Sequence, residues 1–154
     1  MKINLRYLRQ GESTVVVQLK KTEVEILKED TTCEVKLLRM GSRIRATSEF
    51  KAKIIMECAR CLENFVKEVN LKVDCTFVPA NEFVPHGATE LFLTSKEADT
   101  LPYFGEEIDI TEMLRDTVML AVPIKPLCKP DCKGLCQICG KNLNKGLCKH
   151  VKEK

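Results

Sequence analysis

The sequence is poor in aromatic residues: tryptophan is absent, and neither phenylalanine nor tyrosine occurs after Phe104 in the 154-residue chain. The C-terminal third therefore offers no phenylalanine, tyrosine or tryptophan ring on which a nucleic-acid base could stack, so any nucleic-acid partner would be bound through phosphates and shape. Histidine is equally scarce, with His150 near the end and His86 interpreted as a loop residue. With two histidines and no phosphate-binding glycine loop, the sequence predicts a protein that is not an enzyme.

Long apolar runs are missing as well. No segment approaches the roughly 20 apolar residues of a transmembrane helix, so we expect no membrane association. The first ten residues, MKINLRYLRQ, alternate charged and apolar side chains and lack the apolar core of a secretory leader. These features predict a cytoplasmic protein, and nothing in the sequence indicates a small-molecule substrate.

Alternating apolar and polar residues predict a β-sheet. The alternation runs through 43–57, returns at 64–77 and is shorter at 32–39. Gly41 and Ser42 suit a hairpin turn between two of these strands. The stretch 86–107 is interpreted as a short strand followed by a loop.

An amphipathic helix is predicted near 110–121. Asp109 and Glu112 have the spacing of a capping box, and Pro123 ends the run. We therefore predict an α+β fold in which residues 1–124 form an antiparallel sheet with one packed helix. A cysteine-rich zinc-knuckle segment, 125–154, follows this domain and is predicted to dock on it through shared zinc ligands.

Nine cysteines in a reducing compartment indicate metal or redox chemistry rather than a disulfide framework. Cys33 and Cys75 fall on the apolar faces of predicted strands, so we interpret them as buried hydrophobic residues far from any metal. The other seven and one histidine are the candidate zinc ligands: Cys58, Cys61, Cys128, Cys132, Cys136, Cys139, Cys148 and His150.

The spacing of these residues favours zinc. Cys58 and Cys61 form a CxxC pair between two predicted strands, and Cys136 and Cys139 form a second pair followed directly by glycine, as in zinc knuckles. The segment 125–154 has only six aliphatic side chains to bury, which cannot offset an ordering cost on the order of 1–2 kcal/mol per residue. A zinc site contributes on the order of 10 kcal/mol in small modules, so one or two ions would replace the missing core.

Eight ligands suffice for two tetrahedral ions, and the sequence leaves their division open. One partition groups Cys58, Cys61, Cys128 and Cys132, and separately Cys136, Cys139, Cys148 and His150. A second pairs the two CxxC turns, as in a zinc ribbon. A third gives one ion to Cys132, Cys136, Cys139 and Cys148 and leaves the first pair free.

Charge is unevenly distributed along the chain. From residue 125 onward eight lysines face two acidic residues, a net of +6, while the whole chain carries +3. A basic end on a mildly acidic body suggests an RNA or acidic protein partner. The residues predicted to contact RNA lie beside the ligands or on the polar face of the longest strand: Arg60, Lys133, Lys141, Lys145, Arg43 and Arg45.

Two stretches, CARCLENF and PLCKPDCKGLCQICGKNLN, together with the acidic EEIDI before the helix, resemble the YceD family of large ribosomal RNA subunit accumulation proteins. The resemblance implies a role in processing or accumulation of 23S ribosomal RNA and in ribosome assembly. The matching positions are Cys58, Arg60 and Cys61 in the first motif, and Cys132, Gly134, Leu135, Cys136, Cys139, Gly140 and Asn144 in the second.

Three functional hypotheses follow. The first is a zinc-stabilised, non-enzymatic factor that acts on large-subunit ribosomal RNA or a pre-ribosomal particle. The second is an adaptor that binds assembly proteins without touching RNA. The third is a redox-sensitive thiol switch that releases zinc on oxidation.

Overall fold

The computed structural model describes residues 1–83, 99–146 and 148–150, and five strands in this part of the chain form the main sheet. Their spatial order follows the chain, and neighbours are antiparallel except for the last pair, which is parallel. The strands are β2 (Gly11–Leu19), β3 (Thr31–Met40), β4 (Arg43–Glu57), β5 (Asn64–Pro79) and β6 (Thr100–Tyr103).

The remaining elements are short. β1 (Lys2–Asn4) pairs with β7 (Glu107–Asp109) in a separate antiparallel sheet of two strands. Helix α1 (Ala80–Phe83) follows β5 directly, and α2 (Ile110–Leu120) follows β7. The Asp109 side chain accepts hydrogen bonds from the backbone N–H groups of Thr111 and Glu112, and so caps the N-terminus of α2.

The longest pairing joins β4 to β5 and brings the first CxxC pair to a defined place. It runs from Ile44 opposite Phe77 to Glu57 opposite Asn64. Every second residue of β4 faces inward and is buried, because strand side chains alternate between the two faces of the sheet. The six residues 58–63 therefore form the connection at one end of this hairpin.

The core lies between the main sheet and α2. Ile110, Leu114 and Val118 recur every fourth residue on one face of α2, and each is fully buried. They belong to the same apolar cluster as Leu19 of β2 and Ile54 of β4. The domain body is thus held together by its own apolar contacts, apart from the cysteine-rich segment.

The structure confirms a mainly β fold and corrects several details of the prediction. The strands expected at 32–39, 43–57 and 64–77 are present as β3, β4 and β5, with ends that differ by at most two residues. The sheet is mixed rather than antiparallel, because β6 runs parallel to β5. Two helices are described instead of one, since the four-residue α1 is too short to show a helical period.

Some expectations fall outside the described residues. His86 and most of the strand and loop expected at 86–107 lie there, while β6 and β7 occupy its described end. Among the described helices, none is both long and apolar enough to cross a membrane.

Cys33 and Cys75 are buried in the main core, as predicted. Burial raises the pKa of Cys33 to about 11. The pKa of Cys75 is raised to about 12, first by burial and then by the charges of Asp74 and Asp99. The Cys75 thiol lies 3.1 Å from the sulfur of Met113 and belongs to neither of the two cysteine groups described below. Both thiols therefore stay protonated at neutral pH and act as packing groups.

Candidate metal centres

Four cysteines meet where the β4–β5 connection contacts the C-terminal segment. Cys58 and Cys61 come from the connection, and Cys128 and Cys132 come from the segment after α2. All four sulfurs lie within 4.8 Å of one another, and only Cys128 is not fully buried. We call this group the inner cluster.

The sulfur positions in the inner cluster fit a tetrahedral metal ion. The Sγ atoms of Cys58 and Cys132 are 3.7 Å apart, and those of Cys61 and Cys128 are 3.8 Å apart. Four thiolates at a Zn–S distance of about 2.3 Å would be separated by about 3.8 Å in a regular tetrahedron. These two separations match that value, and all four sulfurs lie within 4.8 Å of one another, so the group fits a four-cysteine zinc site.

A second group lies entirely within the C-terminal segment. Cys136, Cys139, Cys148 and His150 each offer one ligand atom, and these atoms also lie within 4.8 Å of one another. Cys139 and His150 are exposed, whereas Cys136 is buried. We call this group the outer cluster. The structure thus brings the eight candidate ligands together in the first of the three partitions that the sequence left open.

Backbone N–H groups favour the ionised form of thiols in both clusters. The pKa of Cys58 is lowered to about 6, chiefly by the N–H of Cys128. The pKa of Cys136 is lowered to about 6 by the N–H groups of Cys139 and Ile138. By contrast, burial raises the pKa of Cys128 to about 12, and the neighbouring sulfurs add to that rise. Four sulfurs this close cannot all ionise without a cation among them, and a divalent metal ion would supply it.

Gly134 lets the C-terminal segment approach the β4–β5 connection closely. Its φ is +73°, and a Cβ at this position would lie 3.0 Å from the carbonyl oxygen of Arg60. The Arg60 guanidinium in turn donates to the carbonyl oxygen of Cys132 at 3.0 Å. The Ala59 N–H donates to the Pro126 carbonyl oxygen at 2.8 Å. Two hydrogen bonds and one close backbone contact thus join the C-terminal segment to the β4–β5 connection beside the inner cluster.

We expect Gly134→Ala to loosen this contact and Gly140→Ala to leave it intact. Both glycines have positive φ, so either change should cost about 1–2 kcal/mol in backbone strain. Only Gly134 would also press a methyl group against Arg60, because no atom of the described residues lies within 4 Å of a Cβ at Gly140. Limited proteolysis of the metal-loaded protein should cut the segment after α2 faster in Gly134→Ala than in Gly140→Ala. Equal rates would show that the close approach is unimportant.

The polar face of β4 is balanced in charge rather than basic. Arg43 pairs with Glu82 at 3.4 Å, and Arg45 makes two hydrogen bonds of 2.8 and 2.7 Å to Asp74. Three more ion pairs cover the same region: Lys51–Glu68, Lys53–Glu29 and Lys72–Glu49. Arg43 and Arg45, two of the predicted RNA contacts, are therefore engaged with carboxylates.

The predicted RNA contacts in the cysteine-rich region differ in their surroundings. Lys145 forms an ion pair with Glu63 of the β4–β5 connection, and Lys141 also has a partner within the protein. Lys133 is exposed, and its side chain forms no ion pair with any of the described residues. The structure gathers Arg60, Lys133 and Lys145 around the inner cluster and leaves the β4 arginines on the sheet.

Two contributors to the site were not predicted in their present roles. Glu63 connects the β4–β5 turn to Lys145, and nothing in the local sequence marks it. Asn144 was named only through the family resemblance, although its side-chain nitrogen lies 3.2 Å from the Cys132 sulfur. The NLN stretch could have suggested a side-chain-stabilised turn, because asparagine often hydrogen-bonds to nearby backbone.

Comparison with known proteins decides the family. Residues 46–154 match the family described as Large ribosomal RNA subunit accumulation protein YceD, which is more than two thirds of the chain and includes every candidate ligand. The chain belongs to the YceD family. No solved structure shows a significant match to the chain.

The curated relatives of this YceD chain are similar over part of their length. An uncharacterized protein of Mycobacterium tuberculosis is 32% identical over 111 residues, which cover 68% of this chain and 50% of the relative. A chloroplastic Large ribosomal RNA subunit accumulation protein YCED homolog 1 of Zea mays is 46% identical over 43 residues, covering 28% of this chain and 15% of the relative. The Arabidopsis thaliana homolog 1 is 49% identical over 43 residues, covering 28% and 13%. The chain thus spans half or less of each relative's length.

Proposed function

We propose that this protein is a zinc-stabilised, non-enzymatic factor that supports the accumulation of large-subunit (23S) ribosomal RNA during ribosome assembly. The observation that carries the proposal is the inner cluster, whose ligands join the sheet domain to the C-terminal segment within the region that matches the YceD family. The names of the plant relatives refer to accumulation of the large ribosomal RNA subunit, which supports this proposal. The domain division at residue 124, with docking through shared zinc ligands, is part of this proposal.

Zinc suits both clusters because three or four cysteines, with or without one histidine, form the usual donor set of structural sites. With both ions bound, four thiolates would give the inner site a charge of −2, and three thiolates with a neutral histidine would give the outer site −1. Exposed lysines surround both sites. The thiols with lowered pKa belong to these clusters, so their ionisation would serve metal binding rather than nucleophilic catalysis.

In this proposal RNA is contacted by lysines that the metal sites would hold in fixed positions. Lys129, Lys133 and Lys149 are exposed and lie next to ligand cysteines. Their side chains form no ion pair within the described part of the chain. They are therefore better candidates for phosphate contacts than Lys145, which is paired with Glu63.

A second candidate is an adaptor that binds an assembly protein and does not touch RNA. The observation that favours it is the balanced charge of the β4 face, where Arg43 and Arg45 are already paired with carboxylates. In this case the lysines of the C-terminal segment would only offset the charge of the thiolates. Both candidates place the protein on large-subunit precursor particles in the cytoplasm.

Sedimentation with precursor particles tests the proposal and separates the two candidates. Extracts of cells that make the tagged protein are fractionated on a gradient, and ultraviolet crosslinking then shows whether RNA is contacted. We expect the protein in fractions with precursor large-subunit RNA, crosslinked to that RNA. A protein found only at the top of the gradient would contradict both candidates.

Charge reversal provides the matched comparison. The triple variant Lys129→Glu, Lys133→Glu, Lys149→Glu should weaken RNA binding and flatten its salt dependence, because each lost phosphate contact reduces the slope of log K against log[salt] by roughly 0.7–0.9. The control triple, Lys20→Glu, Lys21→Glu, Lys28→Glu, makes the same charge change at exposed positions of the sheet domain. If neither triple alters particle association while zinc stays bound, the adaptor is favoured. Equal losses of RNA binding in the two triple variants would show that net charge, and not the position of these lysines, determines binding.

A further inference from the structure

Asn144 lies between two outer-cluster ligands in the sequence, but its side chain contacts an inner-cluster ligand. It follows Cys139 and precedes Cys148, two outer ligands, yet its Nδ2 atom donates a hydrogen bond to the Sγ of Cys132, an inner ligand, at 3.2 Å. Its Oδ1 atom accepts a hydrogen bond from the backbone N–H of Lys133 at 3.0 Å. One side chain thus holds both the sulfur of an inner ligand and the backbone beside it.

A small set of backbone contacts fixes Asn144 in this position. The Leu143 N–H donates to the Gly134 carbonyl oxygen at 2.9 Å, and the Cys136 N–H donates to the Lys141 carbonyl oxygen at 2.9 Å. The Asn144 N–H donates to the Asn142 side-chain oxygen at 2.9 Å. The stretch 141–144 therefore lies directly against 133–136, which joins the two clusters.

We propose that Asn144 couples the two metal sites, so that an ion bound in the outer cluster raises the affinity of the inner cluster for its ion. The inference rests on the proposed zinc binding. An ion bound by Cys136, Cys139, Cys148 and His150 closes the loop that carries Asn144 and reduces the entropy lost when the amide meets Cys132. The amide N–H stabilises the ligand thiolate, as hydrogen bonds to ligand atoms do in other metal sites.

Coupling of this kind is reciprocal and gives the sites an order of release. An inner ion fixes Cys132 and so favours the loop conformation that the outer cluster needs. The outer cluster has two exposed ligands, Cys139 and His150, whereas three of the four inner ligands are buried. A chelator should therefore remove the outer ion first, and the inner ion should become easier to remove once the outer site is empty.

Metal affinity of Asn144 variants tests the coupling. Cobalt(II) is used as the probe, because its absorption spectrum distinguishes a four-sulfur site from one with three sulfurs and a nitrogen. We expect Asn144→Ala to weaken inner-site affinity about tenfold in chelator competition, at the lower end of the 10–100-fold effect typical of such hydrogen bonds. Asn144→Asp should weaken it at least as much, because aspartate keeps the acceptor for Lys133 but cannot donate to sulfur and adds a negative charge beside the thiolate. Gln137→Ala, which removes an exposed side-chain amide between Cys136 and Cys139, should leave inner-site affinity unchanged.

A double-mutant comparison tests the route of the coupling. Cys139→Ser with His150→Ala disables the outer site and should itself weaken the inner site. In that background Asn144→Ala should add less than about twofold, since interacting sites are non-additive. Full additivity, or unchanged affinity in both Asn144 variants, would overturn the coupling. A wild-type protein that binds neither zinc nor cobalt would instead contradict the proposed function.

Discussion

Replacing Cys58 and Cys61 by serine should release the C-terminal segment while leaving the sheet domain folded. The two cysteines supply half of the inner cluster, and serine does not replace a thiolate as a zinc ligand. The apolar contacts that would remain are few, since among the described residues only Phe65, Leu127 and Leu135 pack around the cluster besides its cysteines. Loss of a structural zinc site removes on the order of 10 kcal/mol, far more than these contacts can replace.

Limited proteolysis with metal analysis measures this effect. The double variant should lose one zinc ion and become cleavable after α2, while its far-ultraviolet circular dichroism keeps the β signal of the sheet. The control is Cys33→Ala with Cys75→Ala, which also removes two cysteines but from the main core. That control should keep its full metal content. A segment that remains protease-resistant without the inner ion would contradict the role given to this cluster.

Replacing Leu114 by alanine should destabilise the sheet domain by about 2–5 kcal/mol, because it leaves a cavity between α2 and the sheet. The Leu114 side chain is fully buried in the main core. Leu120, on the same helix, is 85% exposed and provides the matched control. Leu120→Ala should change stability by no more than about 0.5 kcal/mol.

Denaturant unfolding followed by circular dichroism gives both values, and zinc content gives an independent check. The main core and the apolar contacts around the inner cluster are separate, so Leu114→Ala should keep its zinc under native conditions. Equal destabilisation by the two leucine changes would argue against α2 as the cover of the sheet. Loss of zinc from the folded variant would show that the two cores are not independent.

The sequence predicted the strands whose apolar residues alternate without interruption. β4 and β5 follow a period of two, and burial along them matches it. β2 was missed because Val15, Val16 and Val17 are consecutive valines that conceal the alternation, although Val16 is exposed and Val17 is buried. β6 was missed because it has four residues and contains Pro102. Its parallel pairing depends on the path between β5 and β6, which local sequence does not specify.

The candidate ligands could be identified from spacing, but their grouping could not. The division depends on where the β4–β5 connection meets the segment after α2, and this is set by tertiary contacts such as the close approach of Gly134 to Arg60. The prediction that the polar face of β4 is basic was wrong for a related reason. The partner of Arg45 is Asp74, 29 residues later, and a strand considered alone does not reveal the charges on its neighbour.

Zinc content of the purified native protein tests the central claim most directly. Native mass spectrometry combined with elemental analysis should show two zinc ions per chain, and denaturation with a chelator should reduce the mass by both. The two cysteines of the main core should then be the only thiols without a metal ligand role. A native protein that contains no zinc or other divalent metal, with its cluster thiols free to react, would contradict the account.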